Sequence, residues 1–116
     1  MKKFIAVIIL TITATSFTFA QENEPTFEKQ DDLVKATYYH DNGMVKEEGF
    51  FKGDKLHDKW VHYNENGKVK IIAFYKNGMK DGKWYLIDEK SVKEVTYSLN
   101  KIVDVKQVEA PNLSFI

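Results

Sequence analysis

The 116-residue chain contains no cysteine and no arginine, and its 17 lysines are balanced by 17 carboxylates. Without cysteine there is no disulfide framework, no thiolate metal site and no cysteine nucleophile. A formal charge of zero is not the basic excess that drives binding to a phosphate backbone, so we expect no nucleic-acid partner. Aromatic residues, in contrast, make up 14% of the chain, which argues against disorder. The length fits one small domain.

The first 20 residues have the three-part layout of a secretory signal peptide. Lys2 and Lys3 form a short positive segment, residues 4–12 are apolar, and small and hydroxylated residues lead to Ala20. The apolar segment is much shorter than the roughly 20 residues that a membrane-spanning helix needs. We therefore predict cleavage after Ala20, export to the periplasm or the extracellular space, and no transmembrane anchor after cleavage. The mature chain would keep 96 residues and a formal charge of −2.

After a polar segment at 21–32, which we predict to be a flexible lead-in, the chain repeats with a period of 24 residues. The segment that starts at Tyr39 matches the one that starts at Tyr63, and both contain Asn-Gly followed by Val and Lys. Trp60 and Trp84, each preceded by lysine, occupy equivalent positions in the two copies. A third, degenerate copy follows and lacks Asn-Gly, as is typical of a terminal repeat.

Each copy is predicted to form a pair of antiparallel strands. Asn-Gly favours a type I′ turn because both residues tolerate positive φ. A turn centred on residues 66–67 places Trp60 opposite Ala73 and Tyr63 opposite Lys70, and the equivalent turn places Ala36 opposite Gly49. The two glycines in 77–82 predict a bulge or a longer loop, and the counterpart at 53–58, with one glycine, should differ in conformation.

The predicted architecture is all-β: an antiparallel β-hairpin meander that forms a single twisted sheet at 33–108, preceded by the signal peptide. Apolar side chains occur on both faces of the strands, which favours a thin sheet over a two-layer sandwich. No 3.6-residue period occurs after the signal, so almost no helix is expected. Residues 109–116 are predicted to form a C-terminal tail. The predicted strands are 34–40, 44–52, 59–64, 68–76, 83–88 and 92–99, with a short further strand at 101–108.

The second copy, from Tyr63 to Trp84, has Asn-Gly at 66–67 and 77–78 and Asp-Gly at 81–82. In this pattern it resembles the MORN-repeat variant of bacterial proteins. The resemblance spans about residues 38–99. It implies a sheet of β-hairpin repeats that serves for contacts and has no shared catalytic residues. Many bacterial members carry antitoxin-like labels, and short secreted relatives carry a nicotinate-nucleotide adenylyltransferase name.

The residues that could carry chemistry form no recognisable motif. An adenylyltransferase of that type needs an H-x-G-H signature on a Rossmann-like unit, and His40, His57 and His62 do not form it. These histidines also lack metal-ligand spacing, and no serine lies in G-x-S-x-G. The carboxylates cluster in predicted turns, where solvated acids are common. We therefore predict no catalytic, cofactor-binding or metal-binding residues and a protein that is not an enzyme, with the adenylyltransferase and antitoxin roles as alternatives.

One pattern suggests a binding function, namely aromatic residues that recur beside lysines. The candidate binding surface consists of Trp60, Tyr63, Trp84, Tyr85, Lys59 and Lys83. Such a ladder could stack on sugars or lie against a lipid surface. Alternatively, the rings form the core and the lysines protect the sheet edges. Our hypothesis is an exported, non-enzymatic repeat protein that presents a β-sheet surface to a protein, glycan or lipid partner.

Overall fold

A computed structural model of the chain describes residues 23–109, which form one antiparallel sheet of nine strands. The strands are β1 (Thr26–Gln30), β2 (Leu33–Tyr39), β3 (Val45–Lys52), β4 (Lys55–Tyr63), β5 (Val69–Lys76), β6 (Met79–Lys80), β7 (Gly82–Ile87), β8 (Val92–Ser98) and β9 (Lys101–Val108). Their order follows the chain, except that β6 lies off the main path and pairs with β5. The predicted all-β meander in a single sheet is confirmed, and the sheet is open, with β1 and β9 at its edges.

The predicted signal peptide at 1–20 and most of the predicted tail lie outside the described residues. Between residues 23 and 109 no helix is long and apolar enough to cross a membrane. Most predicted strand ends agree with the structure to within one residue.

The structure corrects the strand predictions in two places: one strand was not predicted, and another begins earlier than predicted. Strand β1 lies in the segment 21–32 that we predicted to be a flexible lead-in. Its residues are all exposed, and backbone pairing with β2, such as Phe27 opposite Ala36, holds it in place. The sequence therefore shows no apolar alternation there. Strand β4 begins at Lys55, four residues earlier than predicted, so His57 lies in a strand and not in a loop.

The Asn-Gly turns at 42–43 and 66–67 are not the predicted type I′ turns. The Gly67 amide donates to the Asn64 carbonyl at 3.0 Å, and the Asn64 amide donates to the Lys68 carbonyl at 2.9 Å. Gly67 has a φ of 87°, whereas Asn66 does not have positive φ. This combination is a type I turn followed by a left-handed glycine. The Asn64 side-chain Oδ1 accepts bonds from the Asn66 and Lys68 amides and so holds the loop in this form.

The return turn after β5, where we predicted a bulge or a longer loop, is a tight two-residue turn, and the register changes beyond it, between β6 and β7. Asn77 and Gly78 both have positive φ, 49° and 86°, as a type I′ turn requires, and the chain bends again at Gly82 between β6 and β7. The counterpart turn after β3 differs, as predicted, because only Gly53 of its two central residues has positive φ. Asp58 nevertheless adopts a left-handed φ of 64° at the position that Gly82 occupies in the second copy.

We call the face of the sheet that carries Trp60 and Trp84 the front face. Its core is a row of residues that crosses the sheet, in which the two indoles lie next to smaller side chains. The predicted pairing of Trp60 with Ala73 and of Ala36 with Gly49 is confirmed. Tyr63 pairs with Val69 and not with Lys70, because the register shifts after His62. A Cβ at Gly49 would overlap the Trp60 indole, so the glycine lets this ring lie on the backbone of β3. The row is Ala36, Gly49, Trp60, Ala73, Trp84 and Val95.

The back face has its own smaller core, which we define by Ile72, Tyr85 and Val92. These three side chains are at most 7% exposed, and half-buried apolar residues of neighbouring strands pack around them. Within residues 23–109 the sheet is one layer thick, so in this part of the chain each face is covered by its own side chains. Side chains at the margin of each core therefore stay partly exposed, and these margins form the grooves described below.

Candidate functional site

The six candidate binding residues do not form one surface. Trp60 and Trp84 lie in the front core and are 3% and 9% exposed. The Trp60 indole N–H donates to the Phe50 carbonyl at 2.8 Å, and the Trp84 indole N–H donates to the Phe74 carbonyl at 2.9 Å. Both indoles are thus buried with their polar atoms paired, so they serve mainly as core. The other four candidates lie on strand positions that face the back.

Tyr63 and Lys59 line a groove of about 240 Å³ on the back face, which we call the back groove. The Tyr63 hydroxyl donates to the Glu48 Oε2 at 2.7 Å, and the Lys35 ammonium lies 3.6 Å from the other oxygen of Glu48. Burial, this hydrogen bond and the negative charge of Glu48 raise the pKa of Tyr63 to about 12. The tyrosine is therefore an uncharged donor that is held in place at neutral pH.

Tyr85 and Lys83 belong to a second polar cluster, around the carboxylate of Glu94. Glu94 is 6% exposed, and its Oε1 lies 3.6 Å from the Lys106 ammonium and 4.0 Å from that of Lys83. Burial raises the pKa of the Tyr85 phenol, and the charge of Glu94 and a hydrogen bond to it add to this effect. The cluster joins β7, β8 and β9, and the two lysines form ion pairs with the carboxylate of Glu94.

The front face carries a groove of about 200 Å³, which we call the front groove. Its walls are the rings of Tyr38, Phe51, Trp60 and Tyr75. The Phe51 ring meets Trp60 edge to face at 5.1 Å between ring centres, and Tyr38 lies 6.5 Å from Trp60 at a tilt of 31°. Trp60 is buried, whereas the other three rings are half-buried and reach the surface.

A polar pair and one aliphatic side chain complete the front groove. Glu47 and His62 face each other across β3 and β4, with 3.1 Å between the Glu47 Oε2 and the His62 Nδ1. His62 lies on the same face of β4 as Trp60. Leu56 lies opposite Phe51 and closes one end. Burial raises the pKa of the Tyr75 phenol, and the negative charge of Glu47 is the next cause, so the field of this carboxylate extends over the groove.

A second set of rings surrounds Trp84 in the second copy. Tyr75 and Tyr97 lie 5.2 Å and 5.1 Å from Trp84 between ring centres. The Lys80 ammonium lies over these rings, 5.0 Å from the centre of Trp84 and 5.1 Å from that of Tyr97. Both distances fall within the range of a cation–π contact. The residue at the position of Lys80 in the first copy is Leu56.

Sequence reasoning missed five residues of the front groove: Tyr38, Glu47, Phe51, Leu56 and Tyr75. Cross-strand register was the signal that could have found them, because a turn at 42–43 aligns Tyr38 with Glu47. The sequence instead drew attention to residues adjacent to tryptophan in the chain, and adjacent residues of a strand point to opposite faces.

The front groove joins aromatic walls to a carboxylate, an arrangement that can hold a ligand with both apolar and cationic parts. Among residues 23–109, no group of three or more histidine or carboxylate side chains could hold a metal ion. Comparisons with models of known protein families, with curated proteins and with solved structures find no match for this chain.

Proposed function

We propose that the chain is an exported, non-enzymatic protein of MORN-like repeats whose sheet surface binds a protein, glycan or lipid partner. The observation that carries this proposal is the front groove. Its three half-buried rings and the Glu47–His62 pair lie together on a rigid sheet. Aromatic side chains that are half exposed beside a polar pair are typical of recognition surfaces.

Recurrence of contacts supports the repeat character of the protein. The bond from the Trp60 indole to the Phe50 carbonyl recurs, 24 residues later, between Trp84 and Phe74. The contact between return turns also recurs, since the Gly78 amide donates to the Leu56 carbonyl and the Asn100 amide to the Lys80 carbonyl. Each hairpin is thus tied to the next by the same bonds, as in a repeat sheet.

Export is proposed from the signal-like composition of residues 1–20. Fractionation of producing cells, followed by N-terminal sequencing, tests it directly. We expect a mature protein outside the cytoplasm that begins at Gln21. An uncleaved protein in the cytoplasm would contradict export and would favour a role inside the cell.

Capture from bacterial envelope extracts tests the binding function. Immobilised protein is compared with Tyr38→Ala, which removes a wall of the front groove, and with Lys59→Ala, which alters an exposed residue of the back groove. We expect a protein, glycan or lipid to be retained by the wild type and by Lys59→Ala but lost with Tyr38→Ala. Consistent failure to retain any of the three classes, or equal retention by all variants, would overturn the proposal. Circular dichroism of each variant controls for folding.

A further inference from the structure

The front face has two aromatic sites, one around Trp60 in the first copy and one around Trp84 in the second. They differ in one side chain that bears on what the front groove binds. In the second copy, the Lys80 ammonium lies about equally far from the Trp84 and Tyr97 rings. The chain thus holds one alkylammonium group of its own over a tryptophan and a tyrosine ring of the front face. In the first copy the equivalent residue is Leu56, which carries no charge, and the groove beside it is open to solvent.

Charge makes the first site more favourable for a cation than the second. Glu47 faces the front groove, whereas the residue 24 positions later, beside the second site, is Ile71. The Glu47 side chain is 27% exposed, so its charge is only partly screened by water. His62 holds one carboxylate oxygen at 3.1 Å, which fixes the orientation of the carboxylate and leaves acceptor capacity on the other oxygen.

We infer that the front groove binds the ammonium group of a lysine side chain from a partner polypeptide, with the ammonium over the rings of Tyr38, Trp60 and Tyr75 and beside Glu47. This inference rests on the proposed function, because it names the chemistry of the partner. The alkyl stem of the lysine packs along Phe51 and Leu56, and its N–H groups donate to the carboxylate.

Hydrogen bonding favours a lysine over a quaternary ammonium group. A trimethylammonium group has no N–H to donate, so it would leave the acceptor capacity of Glu47 unused. A primary ammonium group donates three hydrogen bonds and makes a stronger, charge-assisted contact with a carboxylate. It is also the group that Lys80 places over the equivalent rings.

Heteronuclear NMR of the full-length protein tests this inference. The two indole N–H signals are assigned with Trp84→Phe, and the protein is titrated with Nα-acetyl-lysine methylamide. The matched neutral probe is the norleucine analogue, which has the same stem without the charge, and choline serves as the quaternary probe. We expect a saturable shift of the Trp60 signal with the lysine probe and a much smaller shift of the Trp84 signal.

Two variants make the test specific. Glu47→Gln keeps the shape of the groove, and we expect it to raise the Kd for the lysine probe about tenfold, as for the loss of one charge-assisted contact. Leu56→Lys gives the first site the residue of the second, and its own ammonium should occupy the rings and abolish the titration. As a control, Lys90→Ala, in an exposed turn that lines neither groove, should leave the Kd unchanged.

Equal binding of the lysine and norleucine probes would overturn the inference, as would tighter binding of choline or the absence of a saturable shift. A wild-type Kd in Leu56→Lys would also overturn it. These outcomes are separable from failure of the proposed function. If envelope capture succeeds and the NMR titration fails, the surface binds a partner through other chemistry. If the titration succeeds and no partner is retained, the proposed function fails.

Discussion

The two copies of the repeat share one strand register but differ in chemistry at equivalent positions of the front face. In the first copy, Glu47 lies opposite His62 across β3 and β4. In the second copy the equivalent pair is Ile71 opposite Leu86, across β5 and β7. The framework therefore accepts either a polar pair or an aliphatic pair at this position.

The back face shows the same contrast. Glu48, which binds the Tyr63 hydroxyl, is replaced in the second copy by Ile72, and Tyr63 is replaced by Ile87. Ile72 is 4% exposed and belongs to the back core. At these four pairs of equivalent positions the first copy carries polar side chains and the second copy carries apolar ones. Under the proposed function, the first copy carries the recognition surface, whereas Ile72 and Ile87 of the second copy pack in or against the back core.

The largest loss of stability should come from substitution of the two tryptophans, which the copies share. Trp60→Ala and Trp84→Ala should each lower the free energy of unfolding by about 3–5 kcal/mol, because each removes a buried ring and leaves a cavity. Urea denaturation followed by circular dichroism measures the loss, and the exposed Lys59→Ala, expected within about 0.5 kcal/mol of wild type, is the control. A loss well below about 1 kcal/mol for one tryptophan would mean that its copy does not depend on the shared core.

A smaller loss of stability is expected from substitutions beneath the two indoles, where the two copies carry different residues. Gly49 lies beneath Trp60, and its equivalent in the second copy is Ala73. Gly49→Ala should cost about 1–3 kcal/mol, since the added methyl group overlaps the Trp60 ring and must displace it. Ala73→Gly, the reverse change, should cost about 0.5–1 kcal/mol through backbone entropy. If Gly49→Ala were neutral in urea denaturation, the close packing of Trp60 on β3 would be contradicted.

Much of the fold follows from the 24-residue period and the hairpin turns. Counting outward from the turn was sufficient to pair Trp60 with Ala73, because the register shift after His62 reverses the one-residue difference between the observed turn and the predicted one. The turn type was wrong because Asn-Gly fits two turns, and the bonds that Asn64 makes to its own loop decide between them. Strand β1 carries no apolar pattern, so its pairing was not visible in the sequence.

The candidate site was less predictable than the fold. A sequence places Trp60 beside Lys59 and Tyr63, but the sheet turns the lysine and the tyrosine to the back face, away from Trp60. The front groove is assembled instead from strands β2, β3, β4 and β5, whose residues lie up to 37 positions apart, from Tyr38 to Tyr75. Only the register of several strands together brings these side chains into contact.

Converting the first copy to the second tests whether the Glu47–His62 pair serves recognition or stability. The double variant Glu47→Ile/His62→Leu should change the free energy of unfolding by less than about 1 kcal/mol, because partly exposed ion pairs contribute little. It should abolish the response of the Trp60 signal to the lysine probe. A destabilisation well above that range in urea denaturation would show that the pair is structural, and the contrast between the copies would then be one of packing alone.

The smallest expected change in stability is the pH dependence that comes from the hydrogen-bonded pair of Tyr63 and Glu48 on the back face. The pKa of Tyr63 is raised from its ordinary value of 10.0 to about 12 in the folded protein, because burial and Glu48 disfavour the phenolate. Between these two values the unfolded chain loses the proton and the folded chain keeps it, so unfolding becomes easier as pH rises. The stabilisation is thus complete below about pH 10 and is lost as the pH approaches about 12.

Urea denaturation of the wild type and of Tyr63→Phe, at about pH 9 and about pH 11, measures this contribution. The advantage of the wild type should shrink at the higher pH, and Glu48→Gln should reduce the change, since it removes the charge that opposes ionisation. An advantage that is equal at both values would mean that Tyr63 ionises at its ordinary pKa and that Glu48 does not hold its proton. The first copy would then lack, on its back face, the polar pair that distinguishes it from the isoleucines of the second.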